Sequence, residues 1–245
     1  MKKNEWQVLP KHPELFVGQY VVPNFMSNSV AVQVAADEWV VVSPGAQLLE
    51  NWQAQFGGSN IRISLVMPNG YHFLGIEHWL RAFPYAHLYA SEKAIVRLNQ
   101  KGLSNITALE QSSPNLPEGY SWRFPPGHRG GDVWLYKKPV EQSPSEKDCT
   151  EKDCIWVTCD SFLNYERMSN QPVARAMQKL LGAAPGLKMS QVVKWLIVDD
   201  RTAFKLWVLQ ELAQSPPTVL VPAHGEADQA EGLALRLTEL VNNRL

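Results

Sequence analysis

Most apolar positions fall in short runs, and several alternate with polar ones. "VAVQVA" (30–35) and "EWVVVS" (38–43) flank a turn-like Ala36-Asp37, the pattern of paired strands, and Pro44-Gly45 closes the second. "IRISLVMPNG" (61–70) reads as a buried strand ending in a Pro-Asn-Gly corner, and "AHLYAS" (86–91) as a short strand. Other segments carry the spacing of helices. "NWQAQFG" ends at Gly57, "GIEHWLRAFP" stops at Pro84, and "EKAIVRLNQKG" is capped by Ser91 and closed by Gly102. "YSWRFPPGHRGGDVWLYKK" (120–138) predicts strand, corner, strand, and "CIWVTCDSFLN" (154–164) a further strand. "PVARAMQKLLGAAPG" is a helix with Pro172 near its start and Gly182 near its end. In "RTAFKLWVLQELAQ" the residues Phe204, Trp207, Val208 and Leu212 share one helical face. "PTVLVPAHGE" is a short strand meeting a corner, and "ADQAEGLALRLTELVNN" (227–243) a final amphipathic helix.

Strand pairs come first, and strands mixed with helices follow. The pairs imply antiparallel pairing and the strand–helix–strand stretches imply parallel crossovers. An α/β (α+β) chain satisfies both as two mixed β-sheets packed together with helices outside. With 245 residues, 45% of them hydrophobic, the chain has ample material for one core. The expectation is a single domain over 1–245. Residues 139–153, rich in Ser, Glu, Lys, Asp and Pro, read as a solvated loop between two strands.

The formal net charge is −1. Nucleic acids and anionic membranes usually require a basic surface, so neither is expected as a partner. "MKKNEWQVLPKHPELF" has two lysines but no apolar stretch after them, unlike a signal peptide. No run approaches the ~18 apolar residues of a membrane helix. The expectation is a cytoplasmic protein acting on a small-molecule substrate or ligand. Cys149, Cys154 and Cys159 are spaced by five, and "EKDC" occurs twice. An odd count argues against a disulfide framework. The first two cysteines are expected to be ordinary thiols of a surface loop, since a thiolate zinc site normally uses a closer pair.

Four strand ends carry metal-ligand side chains. His72 follows the strand at 61–70, with Glu77 and His78 just beyond; His128 sits in "PPGHRGG"; Asp160 follows "WVTC"; His224 follows "LVPA". Strand ends on one edge of a sheet are close in space however distant in sequence. Imidazole and carboxylate are the ligand types of zinc, iron and manganese. Gly and Pro at the corners turn the backbone sharply and hold a ring at a fixed angle.

Four stretches together resemble the metallo-β-lactamase fold superfamily: "VVVSPGAQLL", "FPPGHRGGDVWL", "IWVTCDSF" and "VLVPAHGE". The resemblance spans about residues 28–227 and implies a four-layer αββα sandwich. It assigns His128, Asp160 and His224 to ligand positions. The superfamily's His-x-His-x-Asp-His motif is replaced here by "MPNGYHFLGIEHW", which keeps His72 but lacks the His-x-His pair, as in a poorly characterised subgroup with an altered first motif. Ser43 stands where an acid is common. What remains suits one divalent ion, zinc first and manganese or iron otherwise, on His72, Asp160 and His224. His128 is the fourth ligand or a proton donor, His78 a reserve ligand, and Glu77 a candidate general base. The implied activity is hydrolysis of an ester, thioester, lactone or phosphodiester. The alternative is a non-catalytic relative whose degenerate site binds a small molecule or a protein.

Overall fold

The computed structural model describes residues 3–22, 25–57, 60–140, 153–189 and 191–245. In chain order these form β1 (Trp6–Leu9), β2 (His12–Val22), β3 (Phe25–Ala35), β4 (Glu38–Val42), α1 (Leu49–Phe56), β5 (Arg62–Val66), α2 (Ile76–Ala82), β6 (His87–Ala90), α3 (Glu92–Gln100) and β7 (Ile106–Ala108). There follow β8 (Tyr120–Arg123), β9 (Trp134–Lys137), β10 (Ile155–Val157), β11 (Leu163–Tyr165), α4 (Pro172–Leu181), β12 (Gly186–Lys188), α5 (Arg201–Gln214), β13 (Val219–Val221), β14 (His224–Gly225) and α6 (Leu233–Arg244).

The larger sheet runs β12-β11-β14-β3-β4-β5-β6-β7, with the β1–β2 hairpin on the other edge of β3. The smaller runs β13-β10-β9-β8. Both are mixed: β4, β5, β6 and β7 are parallel, as are β10 and β13, while β3–β4, β8–β9 and β9–β10 are antiparallel.

Period-two alternation builds the layers, because both faces of each sheet are covered. Val30, Val32, Val40, Val42 and Val66 face Val133, Leu135, Ile155, Val157, Val219 and Val221 between the sheets. The intervening Ala31, Trp39, Val41, Ile63 and Leu65 point the other way, onto Trp52 of α1, Ile76 and Trp79 of α2, and Ala94 and Leu98 of α3. On the smaller sheet Trp134, Tyr136, Trp156 and Leu220 point outward onto Phe204, Val208 and Leu212 of α5 and Leu237 and Val241 of α6. The result is the αββα order expected.

Most local expectations hold. Ser91 Oγ accepts from Ala94 N at 3.2 Å and caps α3, and Gly57 and Gly182 follow the ends of α1 and α4. Three need correction. Residues 6–22, outside the expected core, form a hairpin whose Trp6, Leu15 and Val17 are buried. The last helix starts at Leu233 rather than near 227, because Gly232 adopts a left-handed conformation that resets the chain. Cys154 is buried rather than a surface thiol: it leads into β10 and its sulfur lies 3.5 Å from Ser215 O. Cys149, and the expected 139–153 loop between 141 and 152, lie outside the described residues.

Candidate functional site

Parallel pairing brings the candidate residues together. Val42 of β4 is in register with Val66 of β5, and Val157 of β10 with Val221 of β13. The chain therefore leaves all four strands at the same edge of the sandwich, and Ser43, Asn69, Asp160 and His224 follow within a few residues.

Asp160 is the centre. Its Oδ1 lies 3.0 Å from His72 Nε2 and 3.1 Å from His224 Nε2, and its Oδ2 accepts from Asn69 Nδ2 at 2.8 Å. One donor atom from each of His72, Asp160 and His224 lies within 4.8 Å of the others. The two rings stand 5.4 Å apart, centroid to centroid. Each ring is also held from behind. His72 Nδ1 is 2.9 Å from Ser43 Oγ; His224 Nδ1 is 3.0 Å from Met26 O and 3.1 Å from Ser27 Oγ.

A second carboxylate lies beside the first. Asn69 Nδ2 also donates to Asp132 Oδ1 at 2.9 Å, while Asn69 Oδ1 accepts from the backbone N–H groups of Tyr71 at 2.8 Å and His72 at 3.1 Å. Ser161 Oγ donates to Asp132 Oδ2 at 3.1 Å, and His128 Nε2 sits 3.0 Å from the same oxygen without hydrogen-bond alignment.

The electrostatics follow. Burial opposes the ionised form of Asp160, but the charge and hydrogen bonds of His72 and His224 outweigh it and hold the carboxyl well below its usual range. Burial likewise opposes the His72 imidazolium, yet Asp160 raises His72 above the ordinary imidazole value. Burial first, and then the charges of Asp132 and Asp160, push the Cys159 thiol far up, so it is not a nucleophile.

The backbone carbonyl of Met26 can only accept, which fixes the proton of His224 on Nδ1. In the neutral ring Nε2 then turns its lone pair toward Asp160 Oδ1. That approach is favourable only with a proton or a cation between them. Two ligands of one ion at about 2.1 Å stand roughly 3.4 Å apart in a tetrahedron, within a few tenths of an ångström of the Asp160–His72 and Asp160–His224 separations. The donor set therefore fits a divalent ion.

No family model matches the sequence, and no curated protein matches it. Solved structures do. A metallo-β-lactamase from Pontibacter korlensis superposes with a TM-score of 0.59 at 14% identity, over 98% of this chain and 100% of that one. A metallo-β-lactamase from Hirschia baltica gives 0.55 at 13% identity, over 97% and 98%. The chain has the metallo-β-lactamase fold. The flavodiiron protein from Giardia intestinalis shares it, with a TM-score of 0.56 at 15% identity over 98% of this chain but 59% of its own.

Within this metallo-β-lactamase fold, three of the expected ligands meet and three other expected site residues stand apart. Glu77 and His78 are exposed on the first turn of α2, because Ile76 and Trp79 take its buried face. They do not join the His72–Asp160–His224 group. His128 is buried but does not join the His72–Asp160–His224 group. Its corner carries it onto Asp132, four residues on. Gly127 and Gly131, at φ +65° and +66°, make that corner: a Cβ on Gly127 would lie 2.3 Å from Asp200 O. Asn69 and Asp132 are the participants that sequence reasoning missed. Asn69 stands inside the altered motif itself, and Asp132 follows the "HRGG" corner, but nothing in the pattern tied either to Asp160.

Proposed function

We propose that the chain is a metal-dependent hydrolase with a single divalent ion held by His72, Asp160 and His224. The observation that supports this reading is the convergence of His72, Asp160 and His224, one donor atom of each within 4.8 Å of the others, with both imidazoles directed at one carboxylate oxygen. Such an ion, zinc in the first instance and manganese or iron otherwise, would polarise an ester, thioester, lactone or phosphodiester and make a water acidic near neutral pH. The protein's own part is positional. Ser43 holds the His72 ring, Ser27 and Met26 O hold that of His224, and Asn69 holds the second oxygen of Asp160. Such partners behind the ligands fix ring orientation. His128 and Asp132 act through Asn69 and are positioning residues.

A second reading is favoured by Asn69. Its amide answers Asp132 and Asp160 at once, so each carboxylate has a donor from the protein itself. That network suits a non-catalytic relative. Elemental analysis of protein purified without chelator, then repleted with zinc, manganese or iron, separates the two. About one equivalent, lost in both Asp160→Ala and His224→Ala, supports the hydrolase, and a panel of ester and phosphodiester substrates then tests turnover. No metal above background after repletion sinks it in favour of the second reading.

A further inference from the structure

The edge of the sandwich away from His72, Asp160 and His224 carries a cleft of its own. Glu38, Arg62 and His87 are the first residues of β4, β5 and β6, and these parallel strands run from there toward the edge that holds the three ligands. Five-residue strands at about 3.3 Å per residue set the two edges on the order of 15 Å apart. Across the strand starts lies a cavity of about 590 Å³, within the roughly 300–1,000 Å³ of small-molecule sites.

Part of its lining is ring-shaped and apolar: Phe83, Pro84, Tyr85, Tyr89 and Pro114. Phe83 is packed into the core, whereas Tyr85, in the turn between α2 and β6, is 95% exposed. The rest of the lining is polar. Asn60, Ser64, Ser113 and Asn115 bring amides and hydroxyls that make no side-chain hydrogen bond to another described residue. The cleft's one carboxylate and one guanidinium, Glu38 Oε2 and Arg62, lie 3.1 Å apart and cancel in charge.

We propose that this cleft binds a neutral saccharide. Each sugar hydroxyl both donates and accepts, so it answers amides, hydroxyls and a carboxylate–guanidinium pair alike. The polarised C–H groups of a sugar ring suit the negative face of an aromatic side chain, here Tyr85 or Tyr89. Other occupants answer the lining less well. The strands β4, β5 and β6 are interior to the larger sheet, so an extended peptide finds no free strand edge there. A proline-rich peptide lacks the N–H donors that the carboxylate and amide oxygens call for. A charged ligand meets no uncompensated partner in the Glu38–Arg62 pair. The site is independent of the hydrolase reading, and its test uses no activity.

Saturation-transfer difference NMR on the full chain, with maltotriose, cellotriose and mannotriose as probes, tests the assignment. At least one probe should receive saturation, and EDTA should leave that signal unchanged. Tyr85→Ala, at an exposed position, should weaken the bound probe at least about fivefold, and Asn115→Ala should weaken it as well. Trp195→Ala removes a half-exposed aromatic outside the cleft and should leave binding as in wild type. The proposal is overturned if no probe receives saturation, or if Tyr85→Ala with unaltered circular dichroism binds as wild type does. Loss of binding in EDTA overturns it by moving the sugar to the metal centre. Adenosine or a hexaproline peptide bound in a Tyr85-dependent manner, with no saccharide bound, overturns it in favour of a base or peptide site.

Discussion

Asn69→Asp is the sharpest test of the polar network, because it changes one atom and almost no volume. In the native protein the Asn69 amide is fully buried and gives one proton to Asp132 Oδ1 at 2.9 Å and one to Asp160 Oδ2 at 2.8 Å. A hydrogen bond to a charged group contributes about 1.5–3 kcal/mol, so losing both costs about 3–6 kcal/mol. The replacement also sets a third carboxyl within hydrogen-bond distance of two others, and it relieves that repulsion by binding a proton. One proton restores at most one of the two bonds, so about half of the deficit should return. The direction with pH is fixed. The new carboxyl has a folded-state value raised above the unfolded one, about 3.9. Its deficit is therefore least below the unfolded value and grows as pH rises through the folded one. Urea unfolding of wild type and N69D between about pH 5 and pH 8 should show the gap widening with pH. A gap under ~1 kcal/mol near pH 7, or one that does not move with pH, would show that Asn69 does not join the two carboxylates.

Three further outcomes follow. Glu77→Ala and His78→Ala, alone or together, should leave metal content unchanged and shift stability by no more than about 0.5 kcal/mol, as expected of exposed positions away from the site; loss of metal in either would return them to it. Gly127→Ala should cost about 2 kcal/mol or more in urea unfolding, from its left-handed φ of +65° and the contact of the added Cβ with Asp200 O; a neutral result would contradict the corner's geometry. Burial pushes the Cys154 thiol up to about 11 and the Cys159 thiol well above the usual thiol value, so peptide mass spectrometry after brief iodoacetamide treatment near pH 8 should find both unmodified in native protein and both alkylated in urea. Native alkylation at Cys159 would place it outside the core.

The layers were legible because alternation is local. Each strand declares which residues share a face, and Val40 and Val42 against Trp39 and Val41 already separate the inner face from the outer. The hairpin at 6–22 was harder to see: "LFVGQYVV" alternates weakly, and its pairing with β3 is a relation between segments that no window of sequence contains. The site divides in the same way. The meeting of His72, Asp160 and His224 was legible from their places at strand ends, since parallel pairing sends successive strand ends to one edge. His128 was equally legible as a buried corner residue, but its aim was not. The partner of a ring depends on side-chain direction, and a corner with two left-handed glycines turns that direction independently of the strand it precedes. Glu77 and His78 were misplaced because a first-turn helical residue can face either way until the buried neighbours, here Ile76 and Trp79, decide.

Asn69 holds two buried carboxylates together. Two buried carboxylates, Asp132 and Asp160, lie on either side of one amide. Left alone they would repel, and a low-dielectric site magnifies that repulsion. The amide supplies a donor to each but no charge. His128 lies beside Asp132, and His72 and His224 are both directed at one oxygen of Asp160. An imidazole replacing asparagine at position 69 could offer one nitrogen to an ion but could not donate to two carboxylates from a single atom. Asparagine at this position is therefore a bridge rather than a ligand. On the proposed reading, an ion would sit on the side of Asp160 where the two imidazoles converge.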